Sequence, residues 1–168
     1  LKVAVVTGDY DDFDRVLDDL GFANYTLIDG ADPVVLTGFL TSESEMSKYD
    51  IIFFNGGFTE DGVIYDEEDS TDTVPSEVIA NLQAYVQAGG STYWSDWAYD
   101  GVEQAWPDRI DFVGADDVPN DAQLGDYADV NAAVADASLA EFLGESYVDI
   151  EFDLPVWPPM ESVDTSVS

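Results

Sequence analysis

Two short apolar runs, VAVV at residues 3–6 and IIFF at residues 51–54, stop abruptly at Thr7-Gly8 and at Asn55-Gly56-Gly57. A run of that length without polar alternation suits a strand buried on both faces, and such strands belong to parallel sheets covered by helices. Helical spacing appears between and after them. Phe13, Val16, Leu17 and Leu20 fall at i, i+3, i+4 and i+7, with Gly21 as the stop. Pro75 opens a second helix in which Val78, Ile79, Leu82, Tyr85 and Val86 share a face, and Gly89-Gly90 ends it. The stretches NYTLIDG (24–30) and STYWSDW (91–97) read as further strands, and residues 33–48 as a shorter helical or irregular piece. This alternation predicts an α/β chain: a doubly wound, mostly parallel sheet with helices on both faces. In such sheets ligands lie beyond the carboxyl ends of the strands, here residues 7–14, 55–61 and 95–100.

The last third is less regular. Ser138 and Glu141 have capping-box spacing before a short helix that Gly144 ends. Val148, Ile150, Phe152 and Leu154 then alternate with acids, which predicts a half-buried strand, antiparallel and at an edge. At 168 residues the chain reads as a single domain over 1–154 with a Pro-containing polar tail over 155–168.

Charge narrows the chemistry. There are 37 Asp and Glu against four Lys and Arg, no His and no Cys, for a net charge of -33. Nucleic acids and anionic membranes are excluded as partners, since binding phosphate takes clustered Lys and Arg. Without His or Cys there is no imidazole base, no thiolate nucleophile and no nitrogen or sulfur ligand set for zinc. Carboxylate chemistry and hard cations remain. Spread evenly over the surface expected for this mass, the charges sit about 16 Å apart, beyond one Debye length at 0.1 M salt and several at 1 M. Inorganic cations are thus the expected partners, and a halophilic or calcium-rich setting the expected one. The chain starts at Leu1, directly before the first strand, so the expectation is a processed or excised piece of an extracellular or cell-surface protein.

Three groups of acids stand where a ligand would bind. Asp9, Asp11, Asp12 and Asp14 crowd the loop after the first strand. Calcium takes six to eight oxygens, so closely spaced Asp residues suit it, although one of them is also expected to cap the following helix. Asp61, Asp66, Glu67, Glu68, Asp69 and Asp72 form a second cluster, expected to be a solvated acidic loop. Asp96 and Asp100, at the end of the fourth strand, face the first loop across the sheet, and Asp9, Asp11, Asp12, Asp96 and Asp100 are therefore the candidate Ca2+ ligands. Trp94, Trp97, Tyr99 and Trp106 serve either as core or as stacking faces for a carbohydrate.

The segment QAGG followed by STYWSDWAYDGVEQAWPDRIDFVG resembles the strand, tight elbow and helix of the class I glutamine amidotransferase-like superfamily, which has a flavodoxin-like fold. The likeness covers roughly residues 1–115. Active members carry Cys at the elbow with a later His and an acid, and some relatives carry Ser. Here the corresponding residues are Ser95, Asp96 and Trp97, with Asp96 or Trp97 at the nucleophile position and no His to serve as base. The resemblance thus implies a non-catalytic relative, a pseudoenzyme. The expected function is a binding or assembly domain, with other copies or surface proteins as partners. Two alternatives stay open: a carboxylate-based hydrolase, metal-assisted or acting on glycosides, and a structural subunit of an extracellular assembly.

Overall fold

A computed structural model describes residues 1–67, 71–115, 118–122, 125–152, 154 and 157–164. Four strands, β1 (Val3–Val6), β2 (Tyr25–Ile28), β3 (Ile51–Phe54) and β4 (Ser91–Trp94), form one parallel sheet in the order β2-β1-β3-β4. Val5 sits between Leu27 and Phe53 in register, and Phe53 faces Tyr93 on its other side. The sheet carries helices on both faces, as its apolar runs require, and the arrangement is consistent with a Rossmann or flavodoxin-like fold.

One face holds the main core. Ala4 and Val6 of β1 and Ile52 and Phe54 of β3 pack against Leu36, Phe39 and Leu40 of α2 (Pro33–Leu40), Met46 of α3 (Glu43–Met46), and Val78, Leu82 and Tyr85 of α4 (Val74–Gln87). Each fully buried Leu, Ile or Phe contributes about 1.5–3 kcal/mol. Trp94 lies flat on Phe54, ring centroids 3.8 Å apart and planes 2° from parallel. The start of α2 is fixed by Asp32, whose Oδ1 accepts from the amides of Val34 at 2.9 Å and Val35 at 3.2 Å, with Pro33 in the first turn.

The other face is covered by α1 (Phe13–Asp19), where Leu17 packs on Val3 and Val5 and Phe13 stacks on Phe53 at 4.4 Å. Of the expected stripe on this helix, Val16 and Leu20 remain exposed, because α1 is short and only its inner turn reaches the sheet.

After β4 the chain makes a 3-10 turn, Asp96–Ala98, into α5 (Tyr99–Ala105), and α5 leads to β5 (Ile110–Phe112). The expected C-terminal antiparallel strand is present as β7 (Tyr147–Phe152), but it pairs with β6 (Ala128–Ala133) in a two-stranded sheet of its own and not at the edge of the parallel sheet. The helix between them, α6 (Ala137–Leu143), is capped by Asp136, whose Oδ1 accepts from the Leu139 amide at 2.7 Å. Ser138 is already inside the helix and so cannot be the cap its spacing suggested, whereas Gly144 ends α6 in the left-handed region as expected. Within the segment expected as a tail, Met160–Val163 forms β8 and pairs antiparallel with β5.

Candidate functional site

Backbone contacts zip two loops together at the carboxyl edge of the sheet. The Asp9 amide donates to the Gly57 carbonyl at 3.3 Å and the Tyr10 amide to the Gly56 carbonyl at 3.1 Å, joining the loop after β1 to the loop after β3. Gly57 has φ +86, and a Cβ there would lie 2.6 Å from the Tyr10 ring, so glycine is needed both for the turn and for the close approach.

A side-chain tie adds the end of β4. Ser95 Oγ donates to Asp11 Oδ2 at 2.6 Å, and the Gly56 amide sits 3.1 Å from each of these two atoms. Asp11 thus accepts two hydrogen bonds from two different strand ends. Ser95 is positioned by β4 itself, since its amide continues the parallel ladder to the Phe54 carbonyl. The next residue, Asp96, has φ +40, a conformation that costs a non-glycine residue about 1–3 kcal/mol. Partial burial raises its carboxyl above the usual carboxylate range, and the nearby Asp11 charge adds to this.

Beside the tie lies an open depression of about 520 Å³, lined by Tyr10, Gly57, Phe58, Glu60, Trp97 and Asn120. Tyr10 and Trp97 meet edge to face, with centroids 5.2 Å apart and planes at 66°. Glu60 lies in the depression wall at the head of a turn in which its carbonyl accepts from the amides of Val63 and Ile64, and burial of these two side chains pins the turn to the core. Burial pushes the Glu60 carboxyl up to about 9, with the Asp100 charge adding to the effect, so it is protonated at neutral pH. Glu60 Oε1 and Trp97 Nε1 are shut off from solvent and have no hydrogen-bond partner.

Behind the depression a buried network holds Asn120. Its amide donates to Asp100 at 3.3 Å and its side chain to the Tyr65 hydroxyl at 3.0 Å. Asp100 is fully buried, and burial raises it to about 6 against the opposing effect of the Asn120 amide. Tyr65 is pushed up to about 12, chiefly by burial, and Tyr99, which accepts from the Ala122 amide at 3.1 Å, is also raised, again chiefly by burial.

The five expected cation ligands are distributed unevenly over this edge. Asp11 and Asp96 come together, the Asp11 charge helping to raise the Asp96 carboxyl. Asp9 is exposed and contributes its backbone to the loop zipper. Asp12 pairs with Arg15 at 3.1 Å, and Asp100 is sealed under Asn120. Among the described residues no group of three or more acids stands close enough to hold a metal ion. In the second acidic cluster Asp61 Oδ1 accepts from the Glu67 amide at 3.3 Å and Asp72 Oδ1 from the Val74 amide at 3.0 Å, while Glu68 and Asp69 lie outside the described residues. Trp94, Tyr99 and Trp106 are built into the core, and Trp97 alone of the four named aromatics lines the depression.

Sequence reasoning missed Tyr10, Glu60 and Asn120. The one legible signal for Glu60 was the apolar pair Val63-Ile64 inside an otherwise acidic loop, which marks a segment that must fold back onto the core. Comparison with protein-family models, curated proteins and solved structures finds no match.

Proposed function

We propose that this chain is a non-catalytic binding domain, a relative of the class I glutamine amidotransferase-like superfamily in an exported or surface protein, which takes its ligand at the carboxyl ends of β1, β3 and β4. The strand order and the sharp turn after β4, with Asp96 at φ +40 where an elbow residue would stand, support the kinship. The observation that carries the non-catalytic reading is the state of Ser95. Its hydroxyl proton goes to Asp11 and its oxygen faces the Gly56 amide, so the one candidate nucleophile acts as a crosslink between strand ends. A serine nucleophile also needs a base that can take its proton and later return it, the role imidazole fills at neutral pH, and the chain has no His.

Shape and aromatic lining support the depression as the binding place. The acid excess supports stabilisation by salt, and a calcium role would rest on Asp11 and Asp96, the two expected ligands that meet. The test is chemical-shift mapping of a small-fragment panel on the isotope-labelled chain. Hits should cluster on the Gly57 amide and the Trp97 indole. Hits scattered elsewhere, or none, sink the binding site; turnover of ester or glycoside substrates by the same sample, lost in Ser95→Ala or Glu60→Gln, sinks the non-catalytic reading.

Assembly is a second reading, favoured by the C-terminal third. There Leu139, Phe142 and Leu143 of α6 and the paired Val130 and Ile150 of β6 and β7 are exposed together. Sedimentation in molar salt, where like charges are screened, should then show a concentration-dependent rise in mass; a monomer at every concentration removes this reading.

A further inference from the structure

We propose that the depression between the loops after β1 and β3 binds a small free organic ammonium ion, held between the rings of Tyr10 and Trp97 and the carboxyl of Glu60. The inference rests on the depression being the binding place and adds the ligand's chemical class.

Three classes of small ligand can be weighed against the lining. An anion finds no counter-charge, because none of the six lining residues is basic and the four basic residues of the chain lie elsewhere. Arg15, Lys48 and Arg109 are each paired with a surface acid, and Lys2 lies at the opposite, amino end of the parallel strands. A neutral polyhydroxylated ligand needs several donors and acceptors. The Asn120 amide is committed to Asp100 and its side-chain nitrogen to Tyr65, which leaves the Glu60 carboxyl and the Tyr10 hydroxyl as the chief side-chain polar groups, few for such a ligand. An alkylated ammonium has the matching demands: apolar methyl or methylene surface, a positive charge spread over it, and no need for a full set of hydrogen bonds.

The walls suit that ion. A cation within about 6 Å of an aromatic centroid is attracted by the negative ring face, most strongly for Trp and Tyr. Tyr10 and Trp97, 66° apart, form two walls of a corner in which the ion can approach either ring. The Tyr10 amide is tied to the Gly56 carbonyl while its ring is 64% exposed, which places the ring over the depression and not in the core. Glu60 supplies the charge. Its buried Oε1 has no partner in the protein, and the same burial keeps the acid neutral in the ligand-free chain; a cation alongside would offset that burial and favour the carboxylate. The surrounding excess of acids adds a long-range attraction for any cation.

The test titrates the isotope-labelled chain with choline chloride, with its uncharged carbon isostere dimethylbutanol, and with NaCl at the same ionic strength, reading the Gly57 amide and the Trp97 indole. Choline should bind at least about tenfold more tightly than the isostere, with NaCl producing no localised shift. Tyr10→Ala, at an exposed position outside the buried core, should weaken choline about tenfold. Glu60→Gln should weaken choline and leave the isostere unchanged, since Gln reproduces the shape of the neutral acid. Equal binding of choline and isostere at these two probes overturns the ammonium assignment while leaving a binding depression in place. Shifts that follow NaCl as closely as choline reduce the effect to screening and overturn it as well. If neither these probes nor the fragment panel shifts the two reporters, the inference and the binding site it rests on fall together.

Discussion

Glu60 is a residue whose environment ties stability to pH. Its acid is held well above its ordinary range, to about 9, by burial first and by the Asp100 charge second, with Tyr65 and Tyr99 also facing it. The folded state therefore binds a proton that the unfolded chain has released over the interval between about 4.5 and 9. Stability from this group is complete below the lower value and falls as pH rises towards the higher one, on the order of 1 kcal/mol per pH unit in between. Asp100, raised to about 6, acts in the same direction over a narrower window ending near that value. Urea midpoints measured at pH 6 and pH 8 should drop for the native chain and drop clearly less for Glu60→Gln; an equal drop in both would show that Glu60 ionises freely. The sequence hints at this only through the apolar pair Val63-Ile64, since Glu60 itself stands between Thr59 and Asp61 in an acidic loop and looks like its neighbours. What sets it apart is the burial of Val63 and Ile64 three and four positions later, a tertiary fact. Asp11 and Asp96 could be read because they fall in the loops that follow β1 and β4, and parallel topology carries strand ends to one edge. Their separation from Asp100 could not be read, since it depends on the turn after β4 directing the first residues of α5 back under Asn120.

Elements divide in the same way. β1, β3 and α4 were legible because burial on two faces, or along one helical stripe, leaves a continuous or periodic apolar pattern. β6 and β8 were not, because ADVNAA and MESV bury so little that neither period stands out. Packing inside an element also decides the sign of identical substitutions. Gly38 in α2 has open space around a prospective Cβ, so Gly38→Ala should stabilise by about 0.5–1 kcal/mol through helix propensity alone. Gly101 in α5 is buried, and a Cβ there would stand 2.3 Å from Trp94 Cζ3. That ring is stacked on Phe54 and has no room to retreat, so overpacking outweighs propensity and Gly101→Ala should cost about 1–3 kcal/mol. Urea denaturation of the two variants checks both signs; stabilisation at position 101 would mean that the Trp94 stack yields easily.

For the whole molecule the dominant quantity is charge. Thirty-three net negative charges over 10093 Å² of accessible surface leave about 300 Å² each, an average spacing wider than the ~10 Å Debye length at 0.1 M salt and several times the ~3 Å at 1 M. Clustered acids sit closer than that average, so repulsion acts at low salt and disappears at high salt. Raising NaCl from 0.1 to 1 M should lift the melting temperature by about 5 °C or more, and KCl should do the same. Calcium at matched ionic strength should add nothing if only screening operates; an extra rise reversed by EDTA and absent in Asp11→Asn would place the ion at the Asp11–Asp96 pair. The C-terminal third stands apart from this balance. Among the described residues β6 and β7 pair with each other and with no other strand, and α6 buries none of its side chains. Opening that segment exposes little apolar surface that is not already wet, so the free energy of local opening there is far below that of the sheet. Amides in β1, β3 and α4 should then exchange with solvent on the slow clock of global unfolding and those in β6 and β7 on a fast one of their own, so that residues 128–152 open and close many times for each opening of the sheet.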